Sequence, residues 1–476
     1  MFKNILKITL RNLIRNSSYT AINVLGLALG ITCTLIIFLI VTFQLSFDNY
    51  HQEGENIYRV VTKEDAFGDI WYGTGVPYPL PEAMRNDFPN IPLITIIDFN
   101  FGNPVISIDD GNGNVRRFEE ENAVHVDEEY FQIFSYNIIS GNPDTWLKDP
   151  YNIVITKSIA EKYFKEEDPM GQFLILDEDQ ELKVTGVIQD PPINTEFPFN
   201  FFISFKSSDN SRSDNWSSTS SPVQCYVKIP SEIAPEEIND AFPAFLRKYI
   251  DDESADRKEL SLQYLADVHY DNEYGYTYTS YSGQVSKESI LALSLIGVFL
   301  LVTACINFIN LNTVLVLKRS KEVGIRKVLG GQRSTIINQF LLETTIICLL
   351  ALIVSFGMIE LALIKIDSLI GYPLEFNPLS DIIVVGFIGL VLILIIVLSG
   401  IYPAMVLSGF KPVDSLKSKA FNTNKSGISL RRILVALQFV ISQILIVSTL
   451  VVTKQMELFR NVPLGFDKNA IIVVSL

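Results

Sequence analysis

Cysteine and histidine are scarce in this chain of 476 residues, which has four of the first and three of the second. Cys33, Cys305 and Cys348 lie in long apolar runs, so Cys225 is the only cysteine in the polar part of the chain. One cysteine cannot form a disulfide framework there, and no cysteine or histidine pair has the spacing of zinc ligands. The sequence therefore predicts neither a disulfide-stapled domain nor a metal site.

Motifs for catalysis are also absent. The chain has no G-x-x-x-x-G-K-[ST] phosphate loop, no G-x-S-x-G nucleophile elbow and no H-E-x-x-H zinc motif. Serine and aspartate are plentiful, yet their spacing indicates no nucleophile paired with a base. We therefore expect that this chain is not an enzyme and holds no cofactor of its own.

Long apolar runs indicate the class of the protein. Apolar residues make up 48% of the chain and concentrate in five runs, at residues 21–43, 290–317, 336–364, 382–407 and 433–452. As a helix with about 1.5 Å rise per residue, each run is long enough to cross about 30 Å of hydrocarbon. The sequence predicts a bundle of five transmembrane helices.

Charge is distributed unevenly around these runs. Residues 45–287 contain 18 Lys/Arg and 43 Asp/Glu, whereas the whole chain contains 38 and 53. The acidic block is predicted to be a separate solvated domain that binds neither nucleic acid nor anionic lipid. Basic residues cluster before the first run, between the second and third, and between the fourth and fifth. This pattern predicts a cytoplasmic N-terminus and an extracytoplasmic acidic block.

The first 44 residues are predicted to form an N-terminal helix and the first span. In residues 1–18, cationic side chains recur every four residues opposite apolar ones. That pattern indicates an amphipathic helix in the membrane interface, or only a charged flank of the span. The span, residues 19–44, contains Gly26 and Gly30. Small residues at this spacing let a second helix approach closely, so both are predicted at a helix contact.

Residues 45–287 consist of short β-like runs separated by turns. The predicted strands are 57–62, 104–108, 153–155, 173–176, 182–188, 199–205 and 224–229, and the predicted helices are 79–87, 158–164 and 234–249. Strands and helices without strict alternation favour α+β. The predicted fold class is a membrane protein whose five-span helical bundle has a large α+β extracytoplasmic domain inserted between spans one and two.

Among the polar residues inside the apolar runs, three indicate how their helices are oriented. Asn307 and Asn310 are three residues apart and are predicted to point together into protein, because polar groups in lipid need partners. Glu343 is predicted to face the bundle and to meet a cation such as Arg326 or Lys327.

The segment KRSKEVGIRKVLGGQR, residues 318–333, separates the second and third runs. It has six Lys/Arg and one acid, Glu322. Gly324, Gly330 and Gly331 predict that it is broken into short pieces rather than one long helix. Val323, Ile325, Val328 and Leu329 offer apolar side chains for docking. A contact for another protein is one interpretation, and a topology signal alone is the other.

KEVGIRKVLGGQRSTIINQFLLET resembles the first cytoplasmic loop of the MacB/FtsX family of ABC-transporter permeases. The matching positions are Glu322, Gly324, Arg326, Lys327, Gly330 and Glu343. In that family this loop touches the ATPase subunit. The resemblance therefore implies an ATPase contact, with ATP bound by the partner, at Glu322, Gly324, Ile325, Arg326, Lys327 and Gly330.

The acidic block resembles the same family in its periplasmic core domain. IVITKSIAEKYFKEEDPMGQFL fits a strand, a helix and an F-G-x-x-D-P-x-G turn through Phe164, Asp168, Pro169 and Gly171. Lys165 stands where that pattern has glycine, so the exact turn is left open. The same block resembles a further element of the family through VTGVIQDPPINTEFPFNFFIS. Outside this block, the end of the fourth apolar run resembles another element through GIYPAMVLSGFKPVDSLK.

The resemblance covers residues 1–419. It implies a MacB-like core domain at 45–287 and an FtsX-like permease domain at 288–419, in a multi-pass protein of the bacterial inner membrane. It also implies that a separate ATPase moves the extracytoplasmic domain, for export or release of a drug, peptide, lipoprotein or cell-envelope factor. The implied partners are the ATPase, a second permease, and an extracytoplasmic adaptor or substrate.

Residues 420–454 continue with a linker and the fifth span, and residues 455–476 are interpreted as the start of a second extracytoplasmic segment. This continuation suggests the N-terminal part of a tandem-duplicated permease, and a five-span protein is the alternative. A different functional class also stays open: a membrane-tethered sensor or scaffold that binds an extracytoplasmic partner without transport.

Overall fold

A computed structural model describes residues 2–66, 68–99, 102–109, 115–217, 219–274, 285–329, 332–409 and 425–462. The chain forms two compact units. One consists of Met1–Val41, Leu291–Leu369 and Pro373–Leu476, and the other of Thr42–Ile290 and Ile370–Tyr372. We call them the helical unit and the sheet unit.

The secondary structure elements are as follows. The helices are α1 (Phe2–Arg15), α2 (Ser17–Gln44), α3 (Leu80–Asp87), α4 (Tyr130–Ile133), α5 (Lys157–Phe164), α6 (Pro235–Tyr249), α7 (Asp252–Arg257), α8 (Leu265–Val268), α9 (Lys287–Val328), α10 (Arg333–Ile370), α11 (Ile382–Gly409) and α12 (Lys425–Asn461). The strands are β1 (Ile57–Ala66), β2 (Asp69–Gly73), β3 (Leu93–Asp98), β4 (Val105–Asp109), β5 (Val115–Glu119), β6 (Ala123–Val126), β7 (Ile138–Ser140), β8 (Asn152–Thr156), β9 (Phe173–Leu176), β10 (Gln180–Ile188), β11 (Phe201–Ser204), β12 (Val223–Lys228) and β13 (Lys258–Tyr264).

Five of these helices are long and apolar enough to cross a membrane, as the apolar runs predict. The candidate spans are Ser17–Gln44, Lys287–Val314, Arg333–Ile370, Ile382–Met405 and Arg432–Asn461. Helices satisfy their backbone hydrogen bonds internally, which is what hydrocarbon requires of a spanning segment. The predicted five-span bundle is confirmed by length and composition.

One prediction about the helical unit is wrong. The segment 318–328 is not broken at Gly324, because α9 continues through it as one helix of 42 residues. A single glycine inside a helix costs only about 1 kcal/mol relative to alanine, which a long helix with tertiary packing tolerates. Gly330 and Gly331, where the other breaks are predicted, lie outside the described residues.

The N-terminal segment is helical, as predicted. In α1, Thr9 and Leu13 are buried whereas Arg11 and Arg15 are exposed. The helix has one buried and one charged side over this part of its length, and α2 begins directly after it, at Ser17.

The described strands of the sheet unit form one mixed sheet in the order β13-β1-β12-β3-β6-β11-β8-β10-β9-β4-β5, with β2 beside β1 and β7 beside β10. Most neighbouring strands are antiparallel, whereas β10 with β8 and β11 with β6 are parallel. A mixed sheet with helices that do not alternate strictly with strands is the predicted α+β architecture.

Buried strands with an apolar residue at most positions lie in the middle of this sheet. All residues of β6, β8 and β11 are buried. Both faces are therefore covered, by α5 on one part and by the aromatic side chains around α4 and Trp146 on another. Such strands read as continuous apolar runs rather than alternating ones.

The predicted strands and helices of this unit are all present. The run at 173–176 is β9 without any change of bounds, and the helices at 79–87, 158–164 and 234–249 differ from α3, α5 and α6 by one residue at one end. The prediction missed β2, β3, β5, β6, β7 and β13. In β5 the residues alternate between exposed and half-buried, so it carries little apolar signal.

Lys165, which stands where the family has glycine, ends α5 with φ 59° and ψ −110°. This conformation is favourable for glycine and strained for a residue with a Cβ, at a cost of about 1–3 kcal/mol. Lysine therefore adopts a backbone conformation here that is typical of glycine. The side chain of Lys165 is exposed, so its replacement removes no core packing.

We predict that Lys165→Gly stabilises the sheet unit by about 1 kcal/mol, because relief of strain exceeds the added freedom of the unfolded chain. The chain has three tryptophans, Trp71, Trp146 and Trp216, and all lie in this unit. Intrinsic fluorescence of the whole detergent-solubilised protein therefore reports its unfolding, and the midpoint should rise by about 2–4 °C.

Lys183→Gly is the matched control, because Lys183 is exposed but lies in the extended backbone of β10. A glycine there should lower the midpoint. A lower midpoint for Lys165→Gly as well would show that the turn is not strained.

Candidate functional site

The C-terminal part of α9 is held against the rest of the helical unit by one apolar contact. Val323 is 6% exposed and packs with Ile336 and Phe340 of α10 and Ala404 of α11. Gly324 beside it is buried as well. The end of α9 is therefore joined to the start of α10 and to α11 by the cluster around Val323.

Directly after this anchor, the last residues of α9 and the residue that follows the helix expose apolar side chains. Ile325, Val328 and Leu329 are 50%, 63% and 81% exposed. They are three and four residues apart, so they lie on one side of the helix end. We call these three residues the α9 patch. Exposed apolar groups in such a cluster are typical of a surface that another protein covers.

Two described cations, Lys327 and Arg333, lie next to the α9 patch in the sequence. Lys327 is half-buried, and burial followed by the charge of Arg333 lowers its pKa. The two cations are thus close enough to influence each other. The side chains of Glu322 and Arg326, and all of Gly330, lie outside the described residues. A partner for this end of α9 would have to offer an apolar surface and negative charge.

The two asparagines singled out in the second span differ in exposure. Asn307 is exposed, and Asn310 is half-buried with an Oδ1 that has no hydrogen-bond partner among the described residues. Asn307 is thus not buried by this chain, and the prediction that both asparagines point into protein stays a prediction. The side of α9 that packs inward carries Ala304, Cys305, Phe308, Ile309 and Asn312. Asn307 falls between these positions on the helical wheel.

Asn312 is the inward-facing asparagine that the sequence did not single out. It is 3% exposed, and its Oδ1 accepts a hydrogen bond from the hydroxyl of Tyr19. The two residues are 293 positions apart in the chain. The local sequence around either residue does not indicate this hydrogen bond, because many polar residues near the end of a span make no contact with another helix.

Glu343 of α10 is 4% exposed, so its side chain faces the helices of this unit. The sequence predicts this orientation from the cost of an ionised carboxyl in lipid. The ion pair predicted between Glu343 and Arg326 or Lys327 stays a prediction.

The two glycines of the first span differ in surroundings. A Cβ at Gly30 would lie 2.4 Å from Cβ of Ala304, so α2 and α9 approach each other closely there. A Cβ at Gly26 would have no atom within 4 Å apart from neighbouring backbone of its own helix. Among the described residues, the close helix contact predicted for the pair exists at Gly30 alone.

We predict that Gly30→Ala lowers the stability of the helical unit, because the added methyl overlaps with Ala304. Gly26→Ala is the control and should leave stability equal or higher, since alanine favours a helix over glycine by about 1 kcal/mol. In a Cys225→Ala background, the remaining cysteines, Cys33, Cys305 and Cys348, all lie in spans. A thiol-reactive dye then reports thermal unfolding of the spans. Equal midpoints for the two alanine variants would contradict the contact.

A groove of about 740 Å³ lies in the sheet unit where β3 ends and β6 and β12 begin. Phe99 and Phe199 line it together with polar residues that include Asn103, Glu121 and Asn122. The volume is in the range of small-molecule sites, about 300–1,000 Å³.

Two protein families match successive parts of the chain. The MacB-like periplasmic core domain matches residues 20–245, and the FtsX-like permease C-terminal domain matches residues 294–412. These ranges correspond to α2 with most of the sheet unit, and to the helices α9 to α11.

Individual relatives match over shorter stretches. The macrolide export ATP-binding/permease protein MacB of Rhodopirellula baltica is 28% identical over 184 residues, 36% of this chain and 26% of the relative. The protein of the same name from Neisseria meningitidis serogroup A is 25% identical over 308 residues, 61% of this chain and 42% of the relative. The chain thus matches less than half the length of these relatives.

Among solved structures, the periplasmic region of MacB from Actinobacillus actinomycetemcomitans aligns with 45% of this chain and 90% of its own length. The identity is 16% and the TM-score is 0.32.

Proposed function

The chain belongs to the MacB/FtsX type of ABC-transporter permease, and we propose that it converts ATP hydrolysis by a separate ATPase subunit into movement of its extracytoplasmic domain. This movement would export or release a drug, peptide, lipoprotein or cell-envelope factor outside the membrane. The permease itself contributes binding surfaces and rigid helices rather than chemistry.

The α9 patch is the observation that carries this proposal. Its three apolar side chains, Ile325, Val328 and Leu329, are exposed at the end of α9. Val323, which comes shortly before them in the same helix, is anchored in the bundle. A partner that binds the patch would pull or push on α9 directly. Since Val323 contacts α10 and α11, the displacement would reach those helices as well. A rigid element with a fixed packing contact is what such coupling requires.

ATP binding is assigned to the partner because the chain has no phosphate loop. The relatives carry the name ATP-binding/permease protein, so in them both functions belong to one protein. For this chain we propose a separate ATPase that docks on the α9 patch, with acidic residues facing the cations of the segment 318–333.

A second permease, either another copy or the second half of a tandem protein, is proposed to cover the remaining polar surface of the spans. Asn307 is exposed at a depth where lipid offers no hydrogen bond, and α12 has Gln443 exposed in the middle of its span. Only 6% of the most apolar window of α12 is buried. A neighbouring helix would give both side chains partners.

We predict that Ile325→Asp together with Leu329→Asp abolishes copurification of the ATPase, because the changes place charge in an apolar contact next to Val328. Loss of two apolar anchors should weaken binding by at least about 100-fold. Leu379→Asp is the control, since Leu379 is 93% exposed in the loop after α10. It should leave copurification and ATP hydrolysis by the complex unchanged.

The measurement is ATPase binding to the tagged permease together with ATP hydrolysis in proteoliposomes. Undiminished binding by the double variant would contradict docking on the α9 patch. Equal loss in Leu379→Asp would point to general damage instead.

The charge pattern predicts the orientation in the membrane, with the N-terminus and residues 318–333 cytoplasmic and residues 45–287 extracytoplasmic. In a cysteine-free background, Asn112→Cys should react with a membrane-impermeant maleimide in intact cells, and Ser320→Cys only after the cells are permeabilised. Labelling of Ser320→Cys in intact cells would reverse the assignment.

The groove at Phe99 and Phe199 favours a second candidate, a membrane-tethered sensor that binds a small extracytoplasmic ligand without transport. The two functions differ in one requirement. A sensor needs no ATPase on the α9 patch, so copurification of an ATPase that the double variant loses distinguishes the permease.

A further inference from the structure

A hydrogen-bonded network inside the sheet unit joins residues from four separate segments of the chain. His269, which follows α8, lies between two oxygen atoms: its Nδ1 is 2.7 Å from Oε1 of Glu196, and its Nε2 is 2.6 Å from Oε1 of Gln44. Gln44, the last residue of α2, donates from Nε2 to the hydroxyl of Tyr372 at 2.9 Å. Phe47 stacks on the imidazole with 3.6 Å between ring centres.

Asp48 joins the same network on the other side of Glu196. Its carboxyl group accepts a hydrogen bond from Oγ1 of Thr195 at 2.6 Å and lies 3.2 Å from the backbone nitrogen of Glu196. Its own backbone nitrogen donates to the carbonyl of Asn194 at 3.1 Å. The segment after α2 is therefore bound to residues 194–196 through both backbone and side chain. We call Gln44, Asp48, Thr195, Glu196, His269 and Tyr372 the base network.

The surroundings of Asp48 disfavour a negative charge. Asp48 is 4% exposed, and in the part of the chain that the structure describes it has no ion pair with lysine or arginine. Burial, and then the charge of Glu196, raise the pKa of the Asp48 carboxyl to about 8, although the hydroxyl of Thr195 opposes the shift. The fold therefore favours the protonated carboxyl at neutral pH.

His51, which faces Asp48, does not supply a compensating cation. His51 has Nε2 3.9 Å from Oδ1 of Asp48, and its Nδ1 accepts from the backbone nitrogen of Ser135. Burial lowers the pKa of His51 to about 3, so this imidazole stays neutral. The remaining titratable groups that influence or face this carboxyl are Tyr50, Tyr130, Tyr136, Tyr226 and Tyr270, together with Glu196 and His269. Arg59, next to Tyr226, donates to Gln263 rather than to a carboxylate.

We propose that the base network is a proton-operated latch: it holds the end of α2, residues 194–196, the segment after α8 and Tyr372 together while Asp48 carries a proton, and it loosens when that proton leaves. Ionised Asp48 would place a second negative charge beside the carboxylate of Glu196 in a buried site. Separation of the Asp48 segment from residues 194–196 relieves this repulsion and admits water. Glu196 is the carboxylate that His269 contacts, so its displacement also releases Gln44 and Tyr372.

The sign of the pH effect follows from proton binding. Between the ordinary pKa of 3.8 and the folded value of about 8, the folded chain keeps a proton on Asp48 that the unfolded chain has lost. Stability therefore falls as pH rises through this window and becomes independent of Asp48 above it. For one proton, the unfolding equilibrium constant rises about tenfold per pH unit.

The test compares the whole detergent-solubilised protein with Asp48→Asn, which keeps an oxygen acceptor but cannot ionise. Urea unfolding followed by fluorescence of Trp71, Trp146 and Trp216 reports the sheet unit. The ratio of the two unfolding constants, wild type over variant, should rise about tenfold per pH unit from pH 5 to 7.5 and level off above pH 8. A ratio that does not change with pH overturns the proposal.

A second variant tests the latch in case Asp48→Asn does not fold. Thr195→Val removes the hydroxyl that favours the ionised carboxyl, so the levelling-off should move to higher pH. If Thr195 had only a structural role, Thr195→Val would lower the free energy of unfolding equally at every pH. That outcome would also contradict the latch.

Hydrogen–deuterium exchange, corrected for the pH dependence of chemical exchange, locates the opening. Peptides covering residues 42–56 and 190–196 of the wild type should exchange about 25-fold faster at pH 8.5 than at pH 6.5, while α5 stays protected. Asp48→Asn should show no such change. Loss of protection spread evenly over the sheet unit, or equal in the variant, would overturn the latch.

Discussion

Hydrocarbon offers no hydrogen bond to a peptide group, and the organisation of this chain depends on that constraint. The five described helices that are long and apolar enough to span a membrane satisfy their backbone donors and acceptors internally. The sheet unit, whose strand edges and turns need water or each other, is confined to residues 42–290 and 370–372. Polar side chains that remain in the spans must find protein. Asn312 meets Tyr19, and Glu343 faces the bundle.

Much of this could be predicted from the sequence, because periodicity and length are local properties. The five spans follow from run length alone, and β9 follows from four apolar residues between turn signals. The sequence was misleading where a local rule met tertiary packing. Gly324 has the propensity to break a helix, yet the contact of neighbouring Val323 with α10 and α11 compensates the roughly 1 kcal/mol cost.

Side-chain partnerships were the part that the sequence could not supply. Gly26 and Gly30 look equivalent in a small-residue pattern, but only Gly30 lies opposite Ala304. Asn307 and Asn312 are both asparagines of α9, and only the helical phase relative to the packed side tells which one is inward. Likewise, Glu196 and His269 are 73 residues apart, so no motif could have paired them. Predicting such contacts needs the fold first.

The α9 patch and the base network both contain side chains in unfavourable surroundings. Apolar groups are exposed in the first, and a carboxyl group is buried in the second. At the end of α9 apolar groups are left in solvent, which costs about 25 cal/mol per Å² and is recovered when a partner covers them. In the base network the carboxyl group of Asp48 is buried without a lysine or arginine partner among the described residues, and the cost is avoided because the group keeps its proton. Under the two proposals, the first arrangement would respond to the concentration of a partner protein and the second to the concentration of protons. Each region would thus respond to a change in conditions outside the chain.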